Sequence, residues 1–145
     1  MKCPFCGNYI ENTLYLALAP YREKSAVVIT NIDYIVEVGN RIVCIIEEKH
    51  SPKRRIRGYQ LVTLKKVAKA LNVPLYILFS GNGIELYEFD TKEIVRSNPY
   101  VSFEDQDPVF SGTLPDFGYW FYRKFLAHAP PSRRRKRLGG GEVWR

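Results

Sequence analysis

The sequence predicts an α/β protein, a mixed β-sheet flanked by helices, and three observations carry that prediction. Apolar runs rich in β-branched residues recur at strand length, as in "SAVVITN", "IDYIVEV", "RIVCIIEE" and "PLYILFS". One segment between them, Tyr59 to Asn72, switches to helical period. A strand reached from another through a helix is a crossover, so part of the sheet is expected to be parallel. With 145 residues, 46% of them hydrophobic, the chain can bury one ordinary core. The expected organisation is one domain over residues 1–130, with a cysteine-bearing cap at 1–7, followed by a basic flexible tail at 131–145.

Taken in order, "YIENTLYLALAP" has the apolar density of a short helix ending at Pro20. Three strands follow, with Gly39-Asn40 as the hairpin turn between the second and third. "SPKRRIRG" is too polar for a core and reads as an exposed loop closed by Gly58. In the next helix Leu64, Val67 and Leu71 form an inward stripe flanked by Leu61 and Ala68, with Lys65, Lys66 and Lys69 on the other side. Asn72 and Pro74 end it. "PLYILFS", the turn "GNG" and "IELYEFD" read as a second hairpin. Beyond Asp90 the signal thins among Pro99, Pro108 and Pro115. "DFGYWFYRKFLAH" is read as a terminal helix whose aromatics Phe117, Trp120, Phe121 and Phe125 dock on the core. "APPSRRRKRLGGGEVWR" is composed like a disordered tail.

The net charge of +7 is segregated. Residues 51–72 carry Lys53, Arg54, Arg55, Arg57, Lys65, Lys66 and Lys69 without an acid, and the end of the chain carries Arg133, Arg134, Arg135, Lys136, Arg137 and Arg145 against Glu142 alone. Both segments suit a phosphate backbone, so a nucleic acid is the expected partner, with Tyr59 beside the basic loop as a contact. No run of apolar residues is long enough to span a bilayer, and the start "MKCPFCGN" lacks the pattern of a signal peptide. The expectation is a soluble, intracellular, cytoplasmic protein without a membrane partner.

"RIVCII" runs directly into Glu47, Glu48 and Lys49. Charged side chains are seldom buried unless paired or bound to metal, so this is either a solvated strand end or a site. Asp33 begins the preceding strand and lies at the same end of the hairpin as Glu47, while Lys49 shares a face with Glu47 by alternation. Phosphodiester hydrolysis needs a nucleophilic water and charge neutralisation, and carboxylates holding Mg²⁺ supply both. Register tests this convergence. A regular two-residue turn at Gly39-Asn40 pairs Val38 with Arg41 and puts Asp33 opposite Ile46, turning Glu47 to the other face. Convergence therefore requires a longer loop or a β-bulge that shifts one strand by a residue.

Asp33, then Glu47-x-Lys49 at the end of an apolar strand, then a helix carrying Gln60, resembles the PD-(D/E)xK nuclease superfamily, with the nearest similarity to archaeal Holliday-junction resolvases and RecB-type nuclease domains. The resemblance spans residues 25–90 and implies a restriction-endonuclease-like αβββαβ core. It implies a metal-dependent nuclease acting on DNA, with RNA not excluded, in which Asp33 and Glu47 ligate Mg²⁺ or Mn²⁺ and the backbone carbonyl of Glu48 is a candidate third ligand. Lys49 would orient the attacking water or stabilise charge on the phosphate, and Gln60 would lie near the lysine. Glu11 is a weaker counterpart of an acid on the first helix. A homodimer is plausible by the same resemblance. The sequence departs from the motif with Ile32 where its name has proline. Asp90-Thr91-Lys92 also fits the triplet, in a turn without a partner acid. The competing reading is a noncatalytic basic protein that keeps the fold and binds nucleic acid.

"CPFCG" is half of a zinc knuckle: Cys3 and Cys6 could occupy two of zinc's four positions, form a disulfide or stay unpaired. Cys44 lies inside an apolar strand and reads as packing. His50 falls on Glu48's face by alternation and is expected in solvent.

Overall fold

The computed structural model describes residues 13–21, 31–92, 99–129, 134–135 and 143–144. Its contacts divide the chain into two units, Met1–Asn31 and Ile32–Arg145. In the first unit, α1 (Thr13–Leu18) runs into a tight 3₁₀ turn at Ala19–Tyr21 where Pro20 cannot continue the helix. Cys3, Cys6, Glu11, Arg133 and residues 25–30 of the expected first strand lie outside the described residues.

The second unit is built on a mixed five-stranded sheet. Its strands are β1 (Tyr34–Val38), β2 (Arg41–Lys49), β4 (Leu75–Phe79), β5 (Ile84–Phe89) and β7 (Phe110–Gly112), in the order β1-β2-β4-β5-β7. β2 and β4 are parallel, joined by the crossing helix α2 (Gly58–Leu71), and the remaining pairs are antiparallel. The hairpin turn lies at Gly39-Asn40 as expected; both have positive φ, 55° and 65°, as a tight hairpin turn demands.

Helices cover both sheet faces, which is why Cys44, Ile45, Ile46 and Glu47 are buried in succession. On one face Ile45, Leu75, Ile77 and Tyr87 pack with Leu61, Leu64 and Ala68 of α2. Burying each leucine contributes roughly 1.5–3 kcal/mol. The helix is rotated slightly from the expected stripe: Leu61, Leu64 and Ala68 are central, while Leu71 is 41% exposed beside the helix end. Asn72, with φ 55°, closes α2 in the left-handed conformation and donates its N–H to Lys69.

On the opposite face Cys44, Ile46, Tyr76, Leu78 and Leu86 meet Phe117, Trp120, Phe121 and Phe125, the docking expected of the terminal aromatics. Of these aromatics the first three belong to α3 (Leu114–Phe121), which starts under a Thr113 cap and widens into a π-helical turn at Tyr122–Leu126 that carries Phe125.

"SPKRRIRG" is not wholly an exposed loop. Its Arg55–Ile56 forms β3, paired antiparallel with β6 (Val101–Ser102), and Ile56 is buried. Alternation explains this: one apolar side chain turns inward between two arginines that turn outward. Within the basic tail, β8 (Arg134–Arg135) pairs antiparallel with β9 (Val143–Trp144). Among the described residues no helix is long and apolar enough to cross a membrane.

Candidate active site

The irregularity that convergence requires is present in the hairpin. Near the turn Val38 pairs with Arg41 and Glu37 with Ile42, but Val36 pairs with Cys44, so Val43 is an extra residue on β2. This bulge shifts β1 by one residue against the rest of β2, leaving Tyr34 opposite Ile46 and the next residue, Asp33, at the level of Glu47. Asp33 also fastens the strand end, its Oδ2 accepting from the Glu48 amide at 2.8 Å.

Glu47 is 2% exposed, the one charged side chain buried among the described residues. It shares the α2 face with Ile45, where Gln60 in the first turn of α2 donates through Nε2 to its Oε1. Lys49 Nζ donates to Gln60 Oε1 at 2.9 Å and stands 3.4 Å from Glu47 Oε1. Gln60 thus bridges acid and lysine, its amide supplying a donor to one and an acceptor to the other. Glu47 Oε2 is buried with no hydrogen-bond partner. Burial, and then the charge of Asp33, push the Glu47 carboxyl above its ordinary range, against the pull of Lys49 and of the Asp33 backbone N–H.

A buried carboxylate oxygen without a partner, beside a second carboxylate, is the environment a cation relieves. No three His, Cys, Asp or Glu side chains converge on a common point among the described residues. The donors available to an ion are therefore Asp33, Glu47 and the Glu48 carbonyl, which leaves the same side of β2 as the Glu48 amide that meets Asp33. Such a sparse oxygen set fits Mg²⁺ or Mn²⁺, which keep several waters and take one or two carboxylates.

The Glu48 side chain does not join this group. It points to the α3 face, where it accepts from Tyr34 Oη at 3.1 Å and Ser80 Oγ at 3.1 Å, with His50 Nε2 3.1 Å away. The His50 side chain is 81% exposed, as alternation implied. Asp90-Thr91-Lys92 is a local turn in which Asp90 caps the Lys92 amide.

The basic residues separate into two groups. Arg54, its side chain 37% exposed, donates to Tyr87 Oη at 3.1 Å beside Glu85 at 3.5 Å, so it also anchors the loop. Arg55 and Arg57 stay on the surface, their guanidinium carbons 4.2 and 5.8 Å from the centre of the Tyr100 ring. Arg57 is the residue before α2 and so stands just ahead of Gln60. Lys53 and Tyr59 are exposed and Lys65 partly so, while Arg134 and Arg135 sit in the terminal ladder. Tyr100 had no signal in the sequence, because only the β3–β6 pairing brings it to the arginines.

Searched against protein-family models, curated proteins and solved structures, the chain matches none.

Proposed function

We propose that the protein is a divalent-metal-dependent nuclease hydrolysing DNA phosphodiester bonds, with the restriction-endonuclease-like core its motif resembles. The observation that carries the reading is Glu47: buried, with Oε2 unpartnered, level with Asp33 across a bulge, and tied to Lys49 through Gln60. A structural strand end has no need to bury an acid in this way, because solvating it would cost less.

Asp33, Glu47 and the Glu48 carbonyl would hold Mg²⁺ or Mn²⁺. When bound, the ion neutralises charge on the phosphate and makes a water easier to deprotonate. Lys49 offers its ammonium to the charge that develops on the phosphate oxygens. Gln60 fixes the rotamers of both Glu47 and Lys49, a preorganisation that spares that cost during reaction. Arg55, Arg57 and Tyr59 would carry neighbouring phosphates and bases, giving affinity that falls with salt.

The test is cleavage of labelled single-stranded, duplex and four-way-junction DNA by the wild type and Glu47→Gln, with Mg²⁺, with Mn²⁺ and in chelator. Cutting by the wild type alone, and only with metal, supports the proposal. Equal DNA binding by both proteins without cleavage supports instead a noncatalytic nucleic-acid-binding protein.

A further inference from the structure

The outer face of the β3–β6 ladder gathers positive charge around one aromatic ring. Ile56 pairs with Val101 and is buried, so alternation turns Arg55 and Arg57 outward together. The same antiparallel register brings Tyr100, the residue before Val101, beside Arg57. Its ring is 44% exposed, with the Arg55 guanidinium carbon over it at 4.2 Å from the centroid and that of Arg57 at 5.8 Å.

The charge on this face is not offset from within. Among the described residues neither Arg55 nor Arg57 pairs with an acid, whereas Glu85 is engaged by Arg54. Two like charges held against one ring, without a counter-charge, repel each other and favour an anion that comes between or beside them. The position is equally telling. Arg57 is the residue before α2, and Gln60, in the first turn of that helix, holds both Glu47 and Lys49. A chain of phosphates crossing the outer face of the ladder therefore leads to the start of the helix that carries the Glu47 bridge.

Phosphate contacts alone would be met by arginines; the half-exposed ring needs a different partner. Tyrosine and guanidinium planes offer stacking surfaces, and Tyr59, two residues past Arg57, is a further exposed ring. Duplex DNA presents base edges and phosphates, with its base faces covered by their neighbours, whereas an unpaired strand presents the faces themselves. We propose that Tyr100, with Arg55 and Arg57, is a stacking platform for the bases of an unpaired DNA strand, and that the substrate is accordingly single-stranded or carries an unpaired segment. This deepens the nuclease reading and rests on it for the purpose of the platform.

The test is equilibrium binding in chelator, by fluorescence anisotropy, of three labelled probes: oligothymidylate of about 15 nucleotides, an abasic strand of the same length and charge, and a duplex. The wild type is expected to bind oligothymidylate about tenfold more tightly than the abasic strand, the worth of one stacked base. Tyr100→Leu should lose that advantage, bind the abasic strand and the duplex as the wild type does, and keep the salt dependence of the wild type, because stacking releases no counterions. Tyr100→Phe, which keeps the ring, should bind like the wild type. Equal binding of oligothymidylate and the abasic strand by the wild type, which needs no variant to fold, would overturn the proposal. So would equal weakening of all three probes in Tyr100→Leu, the mark of a ring that only holds the arginines in place. Because no arm involves cutting, failure of the platform leaves the Glu47 site standing, and an inactive Glu47 site leaves this result readable.

Discussion

Replacing Glu47 with glutamine should make the metal-free protein more stable while removing its response to Mg²⁺. The buried Oε2 has no partner, and Asp33 adds like charge beside it. Leaving a buried acceptor unsatisfied costs about 1–3 kcal/mol, more when it is charged. The glutamine is isosteric, keeps an oxygen for Gln60 and Lys49, and removes the buried charge. Recovering that cost in a unit of this size should raise Tm by about 4–12 °C. The sign with pH follows from the raised pKa of Glu47. A carboxyl whose folded pKa lies above its unfolded one contributes stability below the unfolded pKa and loses it as pH rises through the folded one. The advantage of Glu47→Gln should therefore open with rising pH across that window and stay flat above it. With Mg²⁺ at a hundredfold excess over its Kd the wild type should gain about 2.7 kcal/mol, and the variant should gain none. Calorimetric melts of both proteins, with chelator and with Mg²⁺ across pH, read all of this. A variant less stable than the wild type in chelator, or equal Mg²⁺ stabilisation of both, would refute the reasoning.

Lys49→Met should keep metal and DNA binding but lower single-turnover cleavage by about 10²–10³, the usual loss when a donor to developing charge is removed. Gln60→Ala leaves Glu47 and Lys49 without their bridge and should reduce cleavage about 10–100-fold, measurable at saturating Mg²⁺. Arg57→Ala should weaken DNA binding in chelator and lessen its salt dependence, whereas Arg54→Ala should lower Tm, since its guanidinium holds Tyr87 and Glu85.

The sequence exposed the logic of the site better than its surroundings. Asp33, Glu47 and Lys49 were legible because strand parity restricts which side chains share a face, and the same parity demanded an irregular hairpin. That β2 would bulge at Val43, with an ordinary two-residue turn kept, could not be read, because nothing in "RIVCII" distinguishes one apolar residue from the next. Ile56 was hidden in a charged run where a lone apolar residue has no period to reveal it. Arg54 looked like its neighbours until the β4–β5 hairpin brought Glu85 and Tyr87 beside it. β6 and β7 are two and three residues long, too short for alternation to register. Leu71 fitted the helical stripe, but its place in the last turn of α2 leaves it over solvent.

On this reading a buried acid and its neighbour across the bulge form a cation site. Titration of Mn²⁺ followed by electron paramagnetic resonance, on the wild type, Asp33→Asn and Glu47→Gln, tests it most directly. One Mn²⁺ is expected to bind the wild type and to be displaced by Mg²⁺, and either variant is expected to lose that site. No bound Mn²⁺ in the wild type, or an undiminished site in both variants, would contradict it.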